Sequence, residues 1–425
     1  MIRIALLAAF AAAARGQSLE AVIAKNADSI KAKLIENRRY FHMHPELSTR
    51  EVETGKAIAE RLRAMGYDDI KTGVAKNGVV ALLKGGKPGP VIAWRADIDG
   101  LPIEETNNVP YKSQNAGVKH ACGHDTHIAI GLAVAEVLMK SRADLPGTVK
   151  FIFQPAEEGP PFGEEGGASL MVKEGVLENP KVTAIFGLHI AAFNPAGKLA
   201  YSRGPLMASA DSFTMTIKGK KAHAAWPHLG IDPIVIASQC VLALQTIKSR
   251  RIDNTEPLVL TVGSIHGGNR ENILADEVTM LGTLRTLSEK TREDVHTMMR
   301  QTLEGCTAMS GGSYELKWKE PNYPVTENNA ALVEKTLAPL RRVFGDANVI
   351  EVKPVMGGED FSYYQKLIPG FFWFLGAANE AKGITAAHHT ADFDIDEDVL
   401  LPGVKAAASQ LAFYLESVGS KSTPR

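Results

Sequence analysis

The chain has 425 residues, of which 45% are hydrophobic and 22% are charged, an ordinary globular composition. Its 47 Lys and Arg nearly balance its 48 Asp and Glu, so it lacks the charge excess that binds nucleic acid or an anionic membrane surface. A small-molecule partner is therefore expected. Because 425 residues exceed the size at which one hydrophobic core keeps growing, two domains are expected as well.

The first sixteen residues differ from the rest of the chain. Arg3 is followed by the apolar run 4–14, and Ala14-Arg15-Gly16 is a small-x-small site before Gln17, which is typical of a secretory signal peptide. A membrane anchor is the alternative, but about eleven apolar residues are too few to span a bilayer. We predict a signal peptide over residues 1–16 and a secreted or periplasmic mature protein that does not stay in the membrane.

The first half of the chain alternates helices and strands, which predicts a mostly parallel sheet covered by helices on both faces. The predicted elements are helices 19–39 and 51–65, strands 79–83 and 91–94 forming a hairpin, a helix over 128–138, and strands 149–154 and 182–188. After the first helix, His44 must leave helical geometry because it precedes Pro45. The sequence therefore predicts an α/β domain.

From about residue 207 the order changes to β-α-β-β-α-β, which predicts a ferredoxin-like α+β domain. Its predicted elements are strand 212–218, helix 232–250, strands 258–266 and 277–285, helix 289–309 and strand 314–319. The α/β pattern then resumes with helix 330–344, strand 371–374 and helix 398–416. We predict a discontinuous catalytic domain, residues 17–206 and 321–425, with residues 207–320 inserted into it.

Metal-ligand residue types are concentrated in the stretch 121–127, A-C-G-H-D-T-H, just before an apolar helical run. Asp125 and Thr126 could simply cap that helix. Cysteine and histidine so close together nevertheless favour a metal site. The other two cysteines, Cys240 and Cys306, fall in predicted helices and are expected to be buried thiols, although a disulfide between them stays open.

Acids and imidazoles also follow three consecutive predicted strands, where ligands of α/β proteins collect. They are Asp97 and Asp99, then Glu157 and Glu158, then His189, and a later polar loop adds His388 and His389. Cys122, His124, Glu158, His189 and one of the two loop histidines are too many ligands for one ion, but they fit two ions that share Cys122. Paired ions polarise a carbonyl and acidify water, so we predict amide hydrolysis.

Hydrolysis also needs a group that accepts the proton of water and returns it to the leaving amine. Glu157 adjoins the predicted ligand Glu158 and points elsewhere, so we predict Glu157 as the general acid/base. A nucleophilic Cys122 is the competing mechanism, because neighbouring histidines could lower its pKa. That mechanism leaves Glu157, Glu158 and His189 unexplained.

Ten ordered motifs between about residues 38 and 416 resemble the M20 metallopeptidase superfamily, in its branch of N-acyl-amino-acid, hippurate and auxin-conjugate hydrolases. They read R-R-x-F-H-x-H-P-E-L, R-A-D-I-D-G-L-P-I, A-C-G-H-D-T-H, Q-P-A-E-E-G, G-L-H, A-H-A-A-W-P-H, N-R-E-N-I, G-T-L-R-T, G-G-E-D-F and H-H-T-A-D-F-D-I-D-E. The resemblance implies the metal ligands Cys122, His124, Glu158, His189 and His389, and it selects His389 over His388.

The resemblance also implies roles outside the ligand set. Asp99 would orient a ligand, His223 would stabilise the oxyanion, and Asn272 with Arg285 would hold the substrate carboxylate, partly across a homodimer formed by the inserted lid domain. Thiolate and imidazole ligands suit zinc, while manganese, cobalt and nickel stay open.

The implied substrate is an N-acyl amino acid. A dipeptide substrate, with dipeptidase or carboxypeptidase activity, is the alternative, and a non-catalytic binding protein is the rival of another class. Trp226 in the lid motif and Thr390-Ala391 after the last ligand depart from the family pattern, and Trp226 could narrow the acyl pocket.

Overall fold

The structure is a computed structural model that describes residues 18–419, so the predicted signal peptide lies outside the described part. The described residues form two compact units. The large unit comprises residues up to 201, 331–350 and from 371 onward, and the small unit comprises residues 202–330 and 351–370. Among residues 18–419, no helix combines the length and the apolar character needed to cross a bilayer.

The small unit is larger than the predicted insertion of residues 207–320. Residues 321–330 and 351–370 belong to it as well, whereas the sequence placed them in the catalytic domain. Hydrogen bonds explain the difference, because residues 326–327 pair with residues 205–207, and the amide of Ala208 donates to the carbonyls of Val355 and Gly357.

The elements of the large unit alternate as an α/β fold requires. They are α1 (Leu19–Asp28), α2 (Lys31–Met43), α3 (Val52–Ala64), β1 (Ile70–Val74), β2 (Gly78–Lys84), β3 (Lys87–Asp97), α4 (His124–Lys140), β4 (Pro146–Gln154), α5 (Gly167–Lys173), β5 (Ala184–Pro195) and β6 (Leu199–Tyr201). Between the two segments of the small unit come α8 (Ala330–Phe344) and β13 (Val349–Glu351), and after them come β14 (Gly370–Ala378) and α10 (Leu400–Gly419).

A large, mostly parallel sheet organises this unit, with strand order β1-β2-β4-β3-β5-β14-β6-β13. At its centre β3 runs parallel to both β4 and β5, so Asp97, Gln154 and the His189 region lie toward the same edge. Helix α4 and much of α10 are buried in the main core cluster. The predicted α/β class is therefore confirmed.

Two local predictions for this unit are wrong. Strands β2 and β3 do not form a hairpin, because β4 lies between them, antiparallel to β2 and parallel to β3. The predicted helix 19–39 is two helices, since the Ser29 hydroxyl donates to the Asn26 carbonyl and the Ile30 amide donates to Ala27 at the break. The end of α2 before His44 agrees with the prediction.

The small unit contains the predicted β-α-β-β-α-β order. Its elements are β7 (Pro205–Met207), β8 (Asp211–Lys218), α6 (Pro233–Thr246), β9 (Leu258–Gly267), β10 (Glu277–Thr286), α7 (Glu289–Ala308), β11 (Ser313–Trp318), β12 (Thr326–Glu327) and α9 (Ser362–Gln365). The antiparallel sheet has the order β11-β8-β10-β9, and α6 and α7 share a core with it. The ferredoxin-like prediction is confirmed.

Candidate metal centre

The start of helix α4 places two predicted ligands on either side of a glycine. Gly123 has φ 89°, and a Cβ on it would lie 2.3 Å from Cγ2 of Ile190, so only glycine fits. This left-handed residue directs Cys122 and His124 into one buried site at the carboxyl edge of the large sheet. The alternative interpretation of Asp125 as a helix cap is wrong, because its carboxylate pairs with Arg38 and His42 instead.

The predicted ligands form two sets of three that overlap at Cys122. In the first set, Cys122 Sγ lies 3.4 Å from Nε2 of His189, and His124 completes a group that could hold an ion. In the second set, Nε2 of His389 lies 3.3 Å from Cys122 Sγ and 3.1 Å from Oε1 of Glu158. The sulfur of Cys122 is therefore shared by both sets.

The unpaired atoms of this site fit a divalent cation. Nε2 of His124 is buried without a hydrogen-bond partner among residues 18–419, and it lies 3.9 Å from Oε2 of Glu157 and 4.0 Å from Oε1 of Glu158. Burial raises the pKa of the Cys122 thiol well above its usual range, and the charges of Glu158 and Glu157 add to this effect. A cation between these groups would offset the cost of burying their charges.

Asp99 connects a ligand to the loop that carries Glu157 and Glu158. Its Oδ1 lies 3.2 Å from Nδ1 of His124, which leaves Nε2 of that ring directed into the site. Burial would lower the pKa of His124, but Asp97 and Asp99 raise it to about 10. The amides of Glu157 and Glu158 donate to the two oxygens of Asp99, each at 3.1 Å.

The two loop histidines have different surroundings. His389 has φ 63° and directs its ring toward Cys122 and Glu158, while its amide donates to the carbonyl of Ala121. His388 turns the other way, and its Nε2 accepts the amide proton of Ala192 at 2.9 Å. The geometry therefore favours His389 as the ligand, as the family resemblance implies.

His127 lies beside the ligands but is fully engaged elsewhere. Its Nε2 accepts the amide proton of Ile190 at 2.8 Å, so Nδ1 carries the proton and donates to Oδ1 of Asp97 at 2.5 Å. Asp97 also pairs with Arg95. This chain of hydrogen bonds fixes the backbone next to His189, so His127 supports the site without being a predicted ligand.

A buried ionic network that the sequence did not reveal surrounds the ligand segments. The fully buried guanidinium of Arg38 lies 2.9 Å from both Asp125 and Asp394, and Glu105 lies 3.1 Å from His42. Asp125 follows the predicted ligand His124, and Asp394 is five residues after the predicted ligand His389. The network thus ties helix α2 to both ends of the metal centre, and the motif R-R-x-F-H was its only sequence signal.

The small unit holds the three remaining predicted residues in two separate places. His223 and Asn272 are exposed neighbours, because the amide of Ala224 donates to the Asn272 carbonyl and His223 is bridged to Ile273. Arg285 is half-buried near the other end of β10. Since Glu277 and Arg285 are eight residues apart on an extended strand, about 26 Å separates them, and Asn272 lies beyond Glu277. One chain therefore cannot bring Asn272 and Arg285 to the same carboxylate.

The remaining cysteines, Cys240 and Cys306, are free and buried in the small-unit core, so the disulfide left open by the sequence is not formed. Burial raises the pKa of Cys240 to about 12, and the adjacent Cys306 thiol contributes to the shift. Both residues have the structural role that the sequence predicts.

Comparison with known proteins identifies the family. The family model described as Peptidase family M20/M25/M40 matches residues 93–412, so the chain belongs to this family. The chain is 40% identical over 376 residues to Thermostable carboxypeptidase 2 of Saccharolobus solfataricus, covering 88% of this chain and 93% of the relative. It is also 40% identical to N-acetylcysteine deacetylase of Bacillus subtilis, with 91% and 98% of the two chains covered.

A solved structure agrees with these relatives. The YXEP protein of Bacillus subtilis, described as a dinuclear metal binding peptidase from the M20 family, superposes with a TM-score of 0.78 at 37% identity, covering 92% of this chain and all of the other. The resemblance stated from the sequence is confirmed. The chain is a metal-dependent hydrolase acting on amides.

Proposed function

We propose that this protein is an exported dinuclear metal amidohydrolase that cleaves the amide bond of N-acyl amino acids, with acetyl, benzoyl or larger aryl-acyl groups, to a carboxylic acid and a free amino acid. The observation that carries the proposal is the pair of overlapping ligand sets that share the Cys122 sulfur, beside Glu157. The similarity to a deacetylase of N-acetylcysteine supports the substrate class.

Metal binding and proton transfer are assigned to different residues of the chain. Cys122, His124, Glu158, His189 and His389 would hold two divalent ions, which polarise the scissile carbonyl and acidify water. Glu157 accepts a proton from the attacking water and later gives it to the amide nitrogen, so that the C–N bond breaks and the amino acid leaves as an amine. Its Oε2, 3.9 Å from the unpaired nitrogen of His124, is well placed for this transfer.

Arg285 is suited to the carboxylate of the amino acid. Among residues 18–419 its guanidinium has no hydrogen-bond or ion-pair partner, while the nearby Asp211 is occupied by Arg292 at 2.7 Å. Burial lowers the pKa of Arg285, as expected of a cation that awaits a counter-ion. Gly358 leaves room beside it, since a Cβ there would lie 3.0 Å from Nη1.

The separation of Asn272 and Arg285 supports a homodimer that is assembled through the small unit. If His223 and Asn272 act on the substrate that Arg285 holds, they must come from a different chain. Mixing two impaired homodimers, His223→Ala and Arg285→Ala, and assaying them at substrate concentrations well below KM tests this. Random exchange makes half of the dimers mixed, each with one intact site, so about a quarter of wild-type activity should return. No recovery after verified exchange would contradict the shared site.

The direct test of the proposed chemistry is the variant Glu157→Gln. It preserves size and removes the proton acceptor, so kcat for N-acetyl and N-benzoyl amino acids should fall by about 10²–10⁴. Elemental analysis of both proteins must show the same metal content, which also identifies the metal among zinc, manganese, cobalt and nickel. A metal-loaded variant with normal turnover would refute the proposal.

Carboxypeptidase or dipeptidase activity is the second candidate, supported by the similarity to a thermostable carboxypeptidase. The same catalytic groups can hydrolyse a peptide bond. A panel of N-acetyl, N-benzoyl, indole-acyl and dipeptide substrates separates the two candidates by kcat/KM. A wild-type protein without metal or turnover would favour a binding protein instead.

Export rests on the predicted signal peptide, residues 1–16, and on nothing in the described part of the chain. Expression in a bacterial host followed by mass spectrometry of the fractionated protein tests it. A mature form that begins near Gln17 in the periplasm or medium is expected, and an intact cytoplasmic Met1 form is the contrary result.

A further inference from the structure

Two buried carboxylates accept hydrogen bonds from three successive backbone amides in the loop that carries Glu157. The Ala156 amide donates to Oε1 of Glu51 at 2.8 Å, and the amides of Glu157 and Glu158 donate to Asp99 at 3.1 Å. The family resemblance gives Asp99 its role, but it gives none to Glu51, which lies four residues after the R-R-x-F-H-x-H-P-E-L motif ends at Leu47.

Glu51 binds a strained part of the backbone. Ala156 has φ 55° and Thr49 has φ 64°, both in the left-handed region that is unfavourable for non-glycine residues. The amides of both residues donate to the same oxygen of Glu51, at 2.8 and 2.9 Å. Its other oxygen accepts a hydrogen bond from Asn77 Nδ2 at 3.0 Å. The carboxylate therefore holds two left-handed residues from separate segments.

The side chain of Glu51 is not needed to start helix α3. Glu51 stands at the N-cap position, yet its side chain makes no capping hydrogen bond. Glu46 performs that function, because its two carboxylate oxygens accept the amides of Glu53 and Thr54 at 3.2 and 2.7 Å. The fully buried carboxyl of Glu51 is thus available for the loop of Ala156.

We propose that Glu51 is a positioning residue for catalysis: it holds Ala156 in the left-handed conformation that directs Glu157 and Glu158 to their different tasks. Strand β4 ends at Gln154, and the reversal at Ala156 sets the directions in which the next two side chains leave the strand. The inference rests on the proposed role of Glu157. It adds that the role of Glu157 depends on Glu51, which acts through the backbone of Ala156 and not on the substrate or the metal.

The charge on Glu51 is secondary to its oxygen. Burial and the nearby charge of Asp99 raise the pKa of Glu51 to about 7. A neutral amide can therefore replace the carboxyl group, since the Oε1 of glutamine still accepts both backbone amides. Glu51→Gln is the conservative variant, and Glu51→Ala removes the acceptor.

The test compares two rescues of Glu51→Ala. This variant should lower kcat by about 10–100-fold, with KM within about threefold, because small misplacement of a catalytic group costs rate. Glycine adopts left-handed geometry without strain, so Ala156→Gly added to Glu51→Ala should recover at least about fivefold of kcat. Thr49→Gly, added in the same way, relieves the other strained residue and should raise Tm without recovering kcat. Glu51→Gln should stay within about fivefold of wild type.

Several results would overturn the inference. They are equal recovery of kcat by Thr49→Gly and Ala156→Gly, no recovery by Ala156→Gly, or a fall in kcat that simply follows the loss of Tm. If Glu51→Ala does not fold, Glu51→Asp with the same two glycine variants gives the same comparison. Metal content is measured throughout, and the Glu157→Gln result separately decides the proposed function.

Discussion

The predicted functional residues of the two units differ in their burial and in their hydrogen bonding. In the large unit the predicted ligands Cys122 and His124 are buried, and neighbouring groups such as Asp99 and the Arg38 network hold the segments that carry them. In the small unit His223 and Asn272 are exposed, and Arg285 has no partner among residues 18–419. The side chains of the large-unit site are already held by hydrogen bonds and ion pairs, whereas those of the small unit are exposed or have no partner in the described part of the chain.

This difference fits the roles proposed for the two regions. A metal centre needs ligands held within a few tenths of an ångström, which favours burial and supporting hydrogen bonds. A substrate must enter and leave, so the residues that bind it stay accessible and incompletely paired. Substitutions in the large unit should therefore change metal binding and stability, and those in the small unit should change substrate binding.

The largest effect is expected at Cys122, compared with Cys240, which is buried in the small unit. Cys122→Ser should lower metal affinity and reduce kcat/KM by about 10³-fold or more, because a ligand shared by two ions is lost. Cys240→Ser should keep metal and activity and lower stability by about 1–3 kcal/mol, the cost of burying an unpaired hydroxyl. Elemental analysis, kinetics and urea unfolding measure these outcomes. A fully metallated, active Cys122→Ser protein would remove the shared-sulfur assignment.

The next largest effect is expected at Arg38, compared with its half-buried neighbour Arg39. Arg38→Met leaves the buried Asp125 and the half-buried Asp394 without the guanidinium they share, which should destabilise the protein by about 3–5 kcal/mol. Arg39→Met removes a half-exposed ion pair with Glu397 and should cost about 0–1 kcal/mol. Urea unfolding of the metal-loaded proteins checks both values. Equal losses would mean that burial does not distinguish the two arginines.

The sequence predicted what is local and missed what joins distant segments. The short motif before α4 predicts Cys122 and His124, and the end of a predicted strand predicts His189, because each of these signals is contiguous in the chain. The insertion of β4 between β2 and β3 depends on sheet pairing that no hairpin signal reveals. Likewise, the bonds of Arg38 to Asp394 and of Glu51 to Ala156 join residues more than a hundred positions apart.

The separation of Asn272 from Arg285 was missed for the same physical reason. A motif shows that both residues are present, but their distance depends on the length and straightness of β10. The helix break at Ser29 was missed because the surrounding sequence has a helical pattern, and the break depends on one hydrogen bond from the Ser29 hydroxyl to the backbone.

A smaller effect, dependent on pH, is expected from Glu105 in the buried network. Burial would raise the pKa of Glu105, but hydrogen bonds from His42 and the Ser113 amide hold it at about 2. Because the folded pKa lies below the ordinary value of about 4.3, the stabilisation is complete above that pH and is lost as pH falls toward 2. The stability difference between wild type and Glu105→Gln should therefore shrink by up to about 3 kcal/mol from pH 5 to pH 2. Urea unfolding across that range measures it, and a constant difference would contradict the role given to His42.

The smallest effect on the free-energy scale is expected at Arg285, compared with Arg292, which is already paired with Asp211. Arg285→Met should raise KM for N-acyl amino acids by about 10–100-fold and leave Tm nearly unchanged, since only a substrate carboxylate would lose its partner. Arg292→Met should instead lower Tm, because it leaves the buried Asp211 carboxylate without its bidentate partner. An N-acyl amino acid amide, which lacks the carboxylate, is the internal control. Wild type and Arg285→Met should hydrolyse this amide at similar kcat/KM, and a variant that is impaired equally on both substrates would show that Arg285 does not bind the carboxylate.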